Sequence, residues 1–126
     1  SNWMIDDNGD QNGDLIPAGT ILEAGRVGIL VAPSFDSASA EDPAPAPNTL
    51  IIKLTDSIGI AGLKNSEAES VELYNADGDL ISFYDGNLGA PKLGISASRL
   101  YAEIPDGNSS AFVSASSTPG MVPRLK

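Results

Sequence analysis

The sequence predicts an all-β sandwich, and three observations carry that expectation. Glycine, proline, asparagine and aspartate punctuate the chain every several residues, and its 13 glycines and 9 prolines leave little room for long helices. Between the breaks lie short runs in which apolar and β-branched residues alternate with period two, the pattern of half-buried strand. The 126 residues are 41% hydrophobic, enough for one packed core. No apolar run approaches the roughly 20 residues of a membrane-spanning helix, so no membrane insertion is expected.

In chain order, Arg26-Val27-Gly28-Ile29-Leu30-Val31 places Val27, Ile29 and Val31 on one face and Leu30 on the other. Residues 33–48 are rich in Ala, Ser, Asp and Pro. Their Pro43-Ala44-Pro45-Ala46-Pro47 run favours extended polyproline conformation, so the segment reads as a surface loop insertion. Leu50-Ile51-Ile52-Lys53-Leu54 points Leu50, Ile52 and Leu54 inward, with Ile51 and Lys53 outward. Residues 67–72 carry weak helical character, but the valine and hairpin that follow argue against a helix. Val71-Glu72-Leu73-Tyr74 and Leu80-Ile81-Ser82-Phe83-Tyr84 flank Asn75-Ala76-Asp77-Gly78-Asp79, whose Asp-Gly supplies the turn conformations of a β-hairpin. Residues 85–98 read as a second loop. A further strand pair is expected at 99–104 and 111–113, joined across Pro105-Asp106-Gly107-Asn108. No fixed-period repeat is present. Residues 1–120 thus form one sandwich and 121–126 a C-terminal tail.

Seventeen acidic residues against seven basic ones give a net charge of −10. A field of this sign repels nucleic-acid phosphates and anionic membranes and suits cations. Histidine and cysteine are both absent, which excludes Ser-His-Asp and Cys-His relays, His- or Cys-ligated zinc, disulfides and thiol redox chemistry. The chain opens on Ser1-Asn2-Trp3 without initiator methionine or signal peptide, and reads as a piece of a longer protein.

Several blocks, in order, resemble the lamin-tail domain family. Ser1-Asn2-Trp3-Met4-Ile5 is similar to its Ser-Gly-Trp strand, before an acidic loop. Ile16-Pro17-Ala18-Gly19-Thr20-Ile21-Leu22-Glu23-Ala24-Gly25 is similar to its Pro-Ala-Gly-Thr turn. Leu63-Lys64-Asn65-Ser66-Glu67 and the Tyr74-Asn75-Ala76-Asp77-Gly78 hairpin follow the family's Leu-x-Asn-Ser-Gly segment and hairpin. Ser98-Arg99-Leu100-Tyr101-Ala102-Glu103-Ile104-Pro105-Asp106-Gly107 and Thr118-Pro119-Gly120 are similar to its two closing blocks. The resemblance covers residues 3–120 and implies an immunoglobulin-like β-sandwich. It further implies a bacterial protein, extracellular or in the cell envelope, in which such modules accompany hydrolases. Three features depart from the family: Glu67 replaces a common glycine, Glu103 falls where arginine is usual, and the strand before the tryptophan is missing.

Trp3, set among Met4 and Ile5, reads as a core anchor rather than a sugar platform. Tyr74, Phe83, Tyr84 and Tyr101 read as core rather than as a stacking surface, since only seven aromatics exist to fill a sandwich.

The most distinctive local feature is the acidic run 6–14, where oxygen donors alternate at Asp6, Asn8, Asp10, Asn12 and Asp14. Counted from Asn8, Gly13 takes the sixth position and Leu15 the eighth of an EF-hand loop, but Gly19 stands where the bidentate glutamate belongs. A complete EF-hand is excluded. A shallow calcium site remains as an alternative to a solvated acidic loop. Glu67, Glu69 and Glu72 lack any spacing that would set two carboxyl groups across a cleft for glycoside hydrolysis. Ser96 and Ser98 have no nucleophile elbow and no histidine base. Asn108-Ser109-Ser110 is a formal glycosylation sequon.

The expected function is therefore non-catalytic: a binding, adhesion or tethering module of a larger exported or cell-surface protein, recognising a protein or cell-surface ligand, with no cofactor assigned. Two alternatives stand beside it, a calcium-dependent ligand-binding module built on loop 6–14 and a structural spacer or self-assembling domain. The missing first strand predicts an open sheet edge near residues 3–5 or at its hairpin neighbour. There a second copy or a partner would add a strand.

Overall fold

The computed structural model describes residues 2–7, 13–38, 44–58, 62–64 and 66–122. Among them the chain is all-β and contains no helix. Its strands are β1 (Met4–Asp7), β2 (Asp14–Leu15), β3 (Gly28–Val31), β4 (Leu50–Lys53), β5 (Val71–Tyr74), β6 (Leu80–Tyr84), β7 (Ile95–Arg99) and β8 (Phe112–Ser116). They form a four-stranded sheet of order β2-β1-β5-β6 and two ladders, β3-β4 and β7-β8.

The hairpin expected at the centre is present. Asn75 N–H donates to the Asp79 carbonyl (3.0 Å), and the Asn75 side-chain oxygen accepts from Asp77 N–H (3.0 Å) and Asp79 N–H (2.9 Å). Gly78, at φ 83°, takes the left-handed conformation that the connection requires. Strand β5 also pairs antiparallel with β1, setting Ile5 opposite Leu73 and Asp6 opposite Glu72. Since β2 pairs with β1 on the other side, Met4 and Ile5 lie inside the sheet. The edge on this flank is therefore the two-residue β2, the hairpin neighbour, and not residues 3–5.

Strands β3 and β4 pair in parallel, Gly28 opposite Leu50 through Val31 opposite Lys53, and Leu54 N–H extends the ladder to the Val31 carbonyl (2.9 Å). A parallel pair needs a long crossover, and the connection between Val31 and Leu50 supplies it. The described part of the Ala- and Pro-rich insertion carries no strand, as the sequence predicts. Leu54 is buried and Lys53 exposed, in keeping with the alternation read there.

The last strand pair departs from expectation. Strand β7 begins at Ile95, inside the segment read as loop, and ends at Arg99; residues 100–104 form turns. The Leu100 N–H to Ala111 carbonyl bond (2.8 Å) is the last rung with the chain leading into β8. Beyond it, the Arg99 guanidinium donates to the Ile104 carbonyl (2.7 Å) and pairs with Asp106, closing residues 99–106 into a loop. Ile104 is buried within that loop. Apolar alternation over 99–104 thus serves a folded-back loop, not a strand.

Among the described residues the buried apolar side chains are Ile5, Leu54, Ile104 and Ala111, joined by Asp6 and Asp7. Trp3 is 38% exposed and does not anchor the core. Tyr74, Phe83, Tyr84 and Tyr101 are half-buried.

Candidate functional site

Side chains alternate across strands, and directly paired residues share a face. The register therefore groups Ile5, Asp7, Val71, Leu73, Ser82 and Tyr84 on one face of the four-stranded sheet. On the β7-β8 ladder it groups Ile95, Ala97, Arg99, Phe112, Ser114 and Ser116. These two faces meet. The Tyr84 and Phe112 rings pack edge to face at 4.9 Å between centroids, and Arg99 lies over the Phe112 ring, also at 4.9 Å. Asp106 joins the layers a second time, pairing with Arg99 and accepting from Phe83 N–H (3.3 Å).

Away from that contact the layers leave a cavity of about 400 Å³, with Val71 and Tyr84 on one wall and Ile95, Ala97 and Ser114 on the other. Alanine and serine are too small to fill the space that Arg99 and Phe112 fill further along the same ladder. The volume lies within the range usual for small-molecule sites, roughly 300–1,000 Å³. Leu88 closes one side, positioned by its N–H donating to the Tyr84 hydroxyl (3.1 Å). Gly86, at φ 78°, lets this loop approach the Glu69 backbone, where a Cβ would come within 3.2 Å.

The charged rim is built from the chain before β5. Lys64 pairs with Glu67, and its backbone N–H donates to Glu69 Oε2 (2.6 Å). The hydrogen bond and charge of Glu67 hold the Lys64 ammonium above its ordinary pKa. Lys92 lines the same cavity from the loop before β7. The arrangement suits a ligand with an apolar body and a polar or charged end.

The three glutamates considered for hydrolysis are not set across a cleft. Glu67 and Glu69 engage Lys64, whereas Glu72 lies on the opposite sheet face, beside Asp6, and accepts from Ser70 Oγ (2.7 Å). Glu72 Oε2 is buried and has no hydrogen-bond partner among the described residues. Tyr74 shares this face. Desolvation raises its phenol pKa above the ordinary value, and the charges of Glu72 and Asp6 add to the shift.

Of the five oxygen donors in the acidic run, Asn8, Asp10 and Asn12 lie outside the described residues. Asp6 is fully buried and its carboxylate accepts from Asp7 N–H (2.8 Å). Asp14 is paired with Ile5, which places it on the opposite face of the sheet from Asp6. These two do not form a chelating pair with each other. Among the described residues no group of three or more acidic side chains is placed to hold a metal ion.

No protein-family model matches the chain, and comparison with curated proteins and with solved structures finds no significant match. Among the described residues no helix is long and apolar enough to cross a membrane.

The sequence reading did not single out Leu88, Ile95, Ala97 or Ser114. The available signal was the period-two placement of small residues around 95–99 and 112–116, but a cavity appears only when that ladder is laid on Val71 and Tyr84.

Proposed function

We propose that this chain is a non-catalytic binding module that takes an amphipathic ligand, or the amphipathic side of a larger one, into the cavity between its layers. The observation that carries the reading is the cavity itself, about 400 Å³ between Val71, Tyr84, Ile95, Ala97 and Ser114, with Lys64 and Lys92 beside its apolar walls. The absence of histidine and cysteine from the whole chain supports a binding role over a catalytic one. The ordered resemblance to the lamin-tail family supports an immunoglobulin-like sandwich within a larger exported or cell-surface bacterial protein.

Anilinonaphthalene sulfonate, an apolar anion that fluoresces when it leaves water, probes the cavity directly. One equivalent is expected to bind the cooperatively folded protein. Ser114→Leu narrows the cavity and is expected to weaken the fluorescence while leaving the thermal transition intact. Absence of binding, or undiminished binding to a folded Ser114→Leu variant, overturns the proposal. Purified protein is expected to hydrolyse no phosphoester, glycoside or carboxylic ester. Hydrolysis abolished by a single substitution in this chain would contradict a binding role.

A further inference from the structure

Residues 88–92 line the interlayer cavity without interruption, so the connection from β6 to β7 runs along it as a strap. Every residue from 87 to 94 is exposed. Each end of the strap is a turn closed on itself. Gly89 N–H donates to the Gly86 carbonyl (3.2 Å), and Ile95 N–H donates to the Lys92 carbonyl (3.1 Å). The first turn is tightened by Asn87 N–H donating to the Asp85 carboxylate (3.0 Å). Gly86 and Gly94, at φ 78° and 73°, hold angles that favour glycine and can take up the rotation of a hinge. Pro91 stiffens the middle. Beyond these turns, two hydrogen bonds among the described residues tie the strap to the rest of the chain. Leu88 N–H donates to the Tyr84 hydroxyl (3.1 Å), and Asn87 Nδ2 reaches the Ser109 carbonyl at 3.4 Å, the weaker of the two. Few bonds and little burial put a segment at the low-stability end from which moving parts are drawn. Tyr84, by contrast, is fixed by its ring contact with Phe112.

We propose that residues 87–93 are the gate of the interlayer cavity and that the Tyr84 hydroxyl is its latch, an inference that rests on the cavity being the binding site. With Leu88 held on Tyr84, the strap forms a wall and keeps Leu88 and Lys92 beside the apolar lining. When that bond breaks, the strap swings on Gly86 and Gly94 and a ligand passes. Remaking it closes the wall behind the ligand. Tyr84 divides its side chain between the two tasks: the ring stays on Phe112 of β8 while the hydroxyl holds the strap. The hydroxyl is thus a positioning group. It is bonded to the strap whether the cavity is empty or filled, so it sets how often the gate opens rather than how tightly a ligand is held. Its loss changes entry and release together.

Stopped-flow mixing with anilinonaphthalene sulfonate, followed by dilution of the complex, reads both rates. Tyr84→Phe removes one oxygen and keeps the ring that packs on Phe112, so a cooperative thermal transition is expected to remain. Its entry and release rates should both rise by about fivefold, the weight of one hydrogen bond. Asn87→Ala acts from outside the cavity lining, removes the second tie, and should raise both rates by a smaller factor. If the probe binds but its rates are unchanged in Tyr84→Phe, the gate is overturned and the binding site stands. A rise in release alone overturns it too, because the hydroxyl would then be a ligand contact rather than a latch. No binding of the probe to the natural chain overturns the binding site itself, and the gate with it.

Discussion

Arg99 ties three parts of this structure together. One guanidinium pairs with Asp106, bonds the Ile104 carbonyl and covers the Phe112 ring, while Asp106 holds Phe83 N–H of the facing sheet. Both partners are mostly buried, with side chains 24% and 17% exposed, so solvent screens the pair weakly. Asp106→Ala is expected to cost about 2–3 kcal/mol in urea unfolding, since it strands a part-buried cation and a backbone donor together. Gly120 is the second such point. At its φ of 80° a Cβ added there would run into Thr49 and come within 3.0 Å of Ala46 N, so it has no place. Gly120→Ala should cost about 1–3 kcal/mol by combined strain and overpacking, read as a lowered urea midpoint. The Pro105-Asp106-Gly107 and Thr118-Pro119-Gly120 turns were legible in the sequence from their residue types. The partners that make them matter were not, because Arg99–Asp106 and Gly120–Thr49 are contacts across a folded chain and leave no local pattern.

At the scale of elements, the β5-β6 hairpin was legible because every local signal agrees: two alternating runs, an asparagine able to bond the turn backbone, and a glycine at the left-handed position. Asn75→Ala removes acceptors for two backbone N–H groups and is expected to lower stability by about 1 kcal/mol. Strand β7 shows the opposite case. Ser96-Ala97-Ser98 has weak strand propensity and lies in a stretch that reads as loop, whereas the stronger alternation just after it belongs to the fold-back held by Arg99. Tyr74 gives the β1-β5 pair a pH signature. Its folded pKa lies above the unfolded value near 10, so its contribution to stability is complete below about pH 10 and is lost as pH rises through the folded value. Urea midpoints should therefore fall on the alkaline side for the natural chain, and less so for Tyr74→Phe. An equal fall in both would place the alkaline loss elsewhere.

For the whole molecule, the all-β class was legible because glycine and proline punctuation and period-two alternation act locally. Partner choice was not. Alternation says that strands lie within 26–31 and 50–54, but their parallel pairing depends on the long connection between them. The position of β1 between β2 and β5 likewise follows from register, which moved the expected open edge away from residues 3–5. The acidic run was the loudest signal in the sequence, yet its described ends, Asp6 and Asp14, fall on opposite sheet faces. The quieter placement of alanine and serine on β7 and β8 opens the cavity. The measurement that bears most directly on its role is an amide NMR titration of the labelled protein with anilinonaphthalene sulfonate. Saturable shifts confined to Val71, Tyr84, Leu88, Ile95, Ala97 and Ser114 are the expected result; shifts centred on β3-β4 or on residues 6–14, or none at all, would contradict a binding site between the layers.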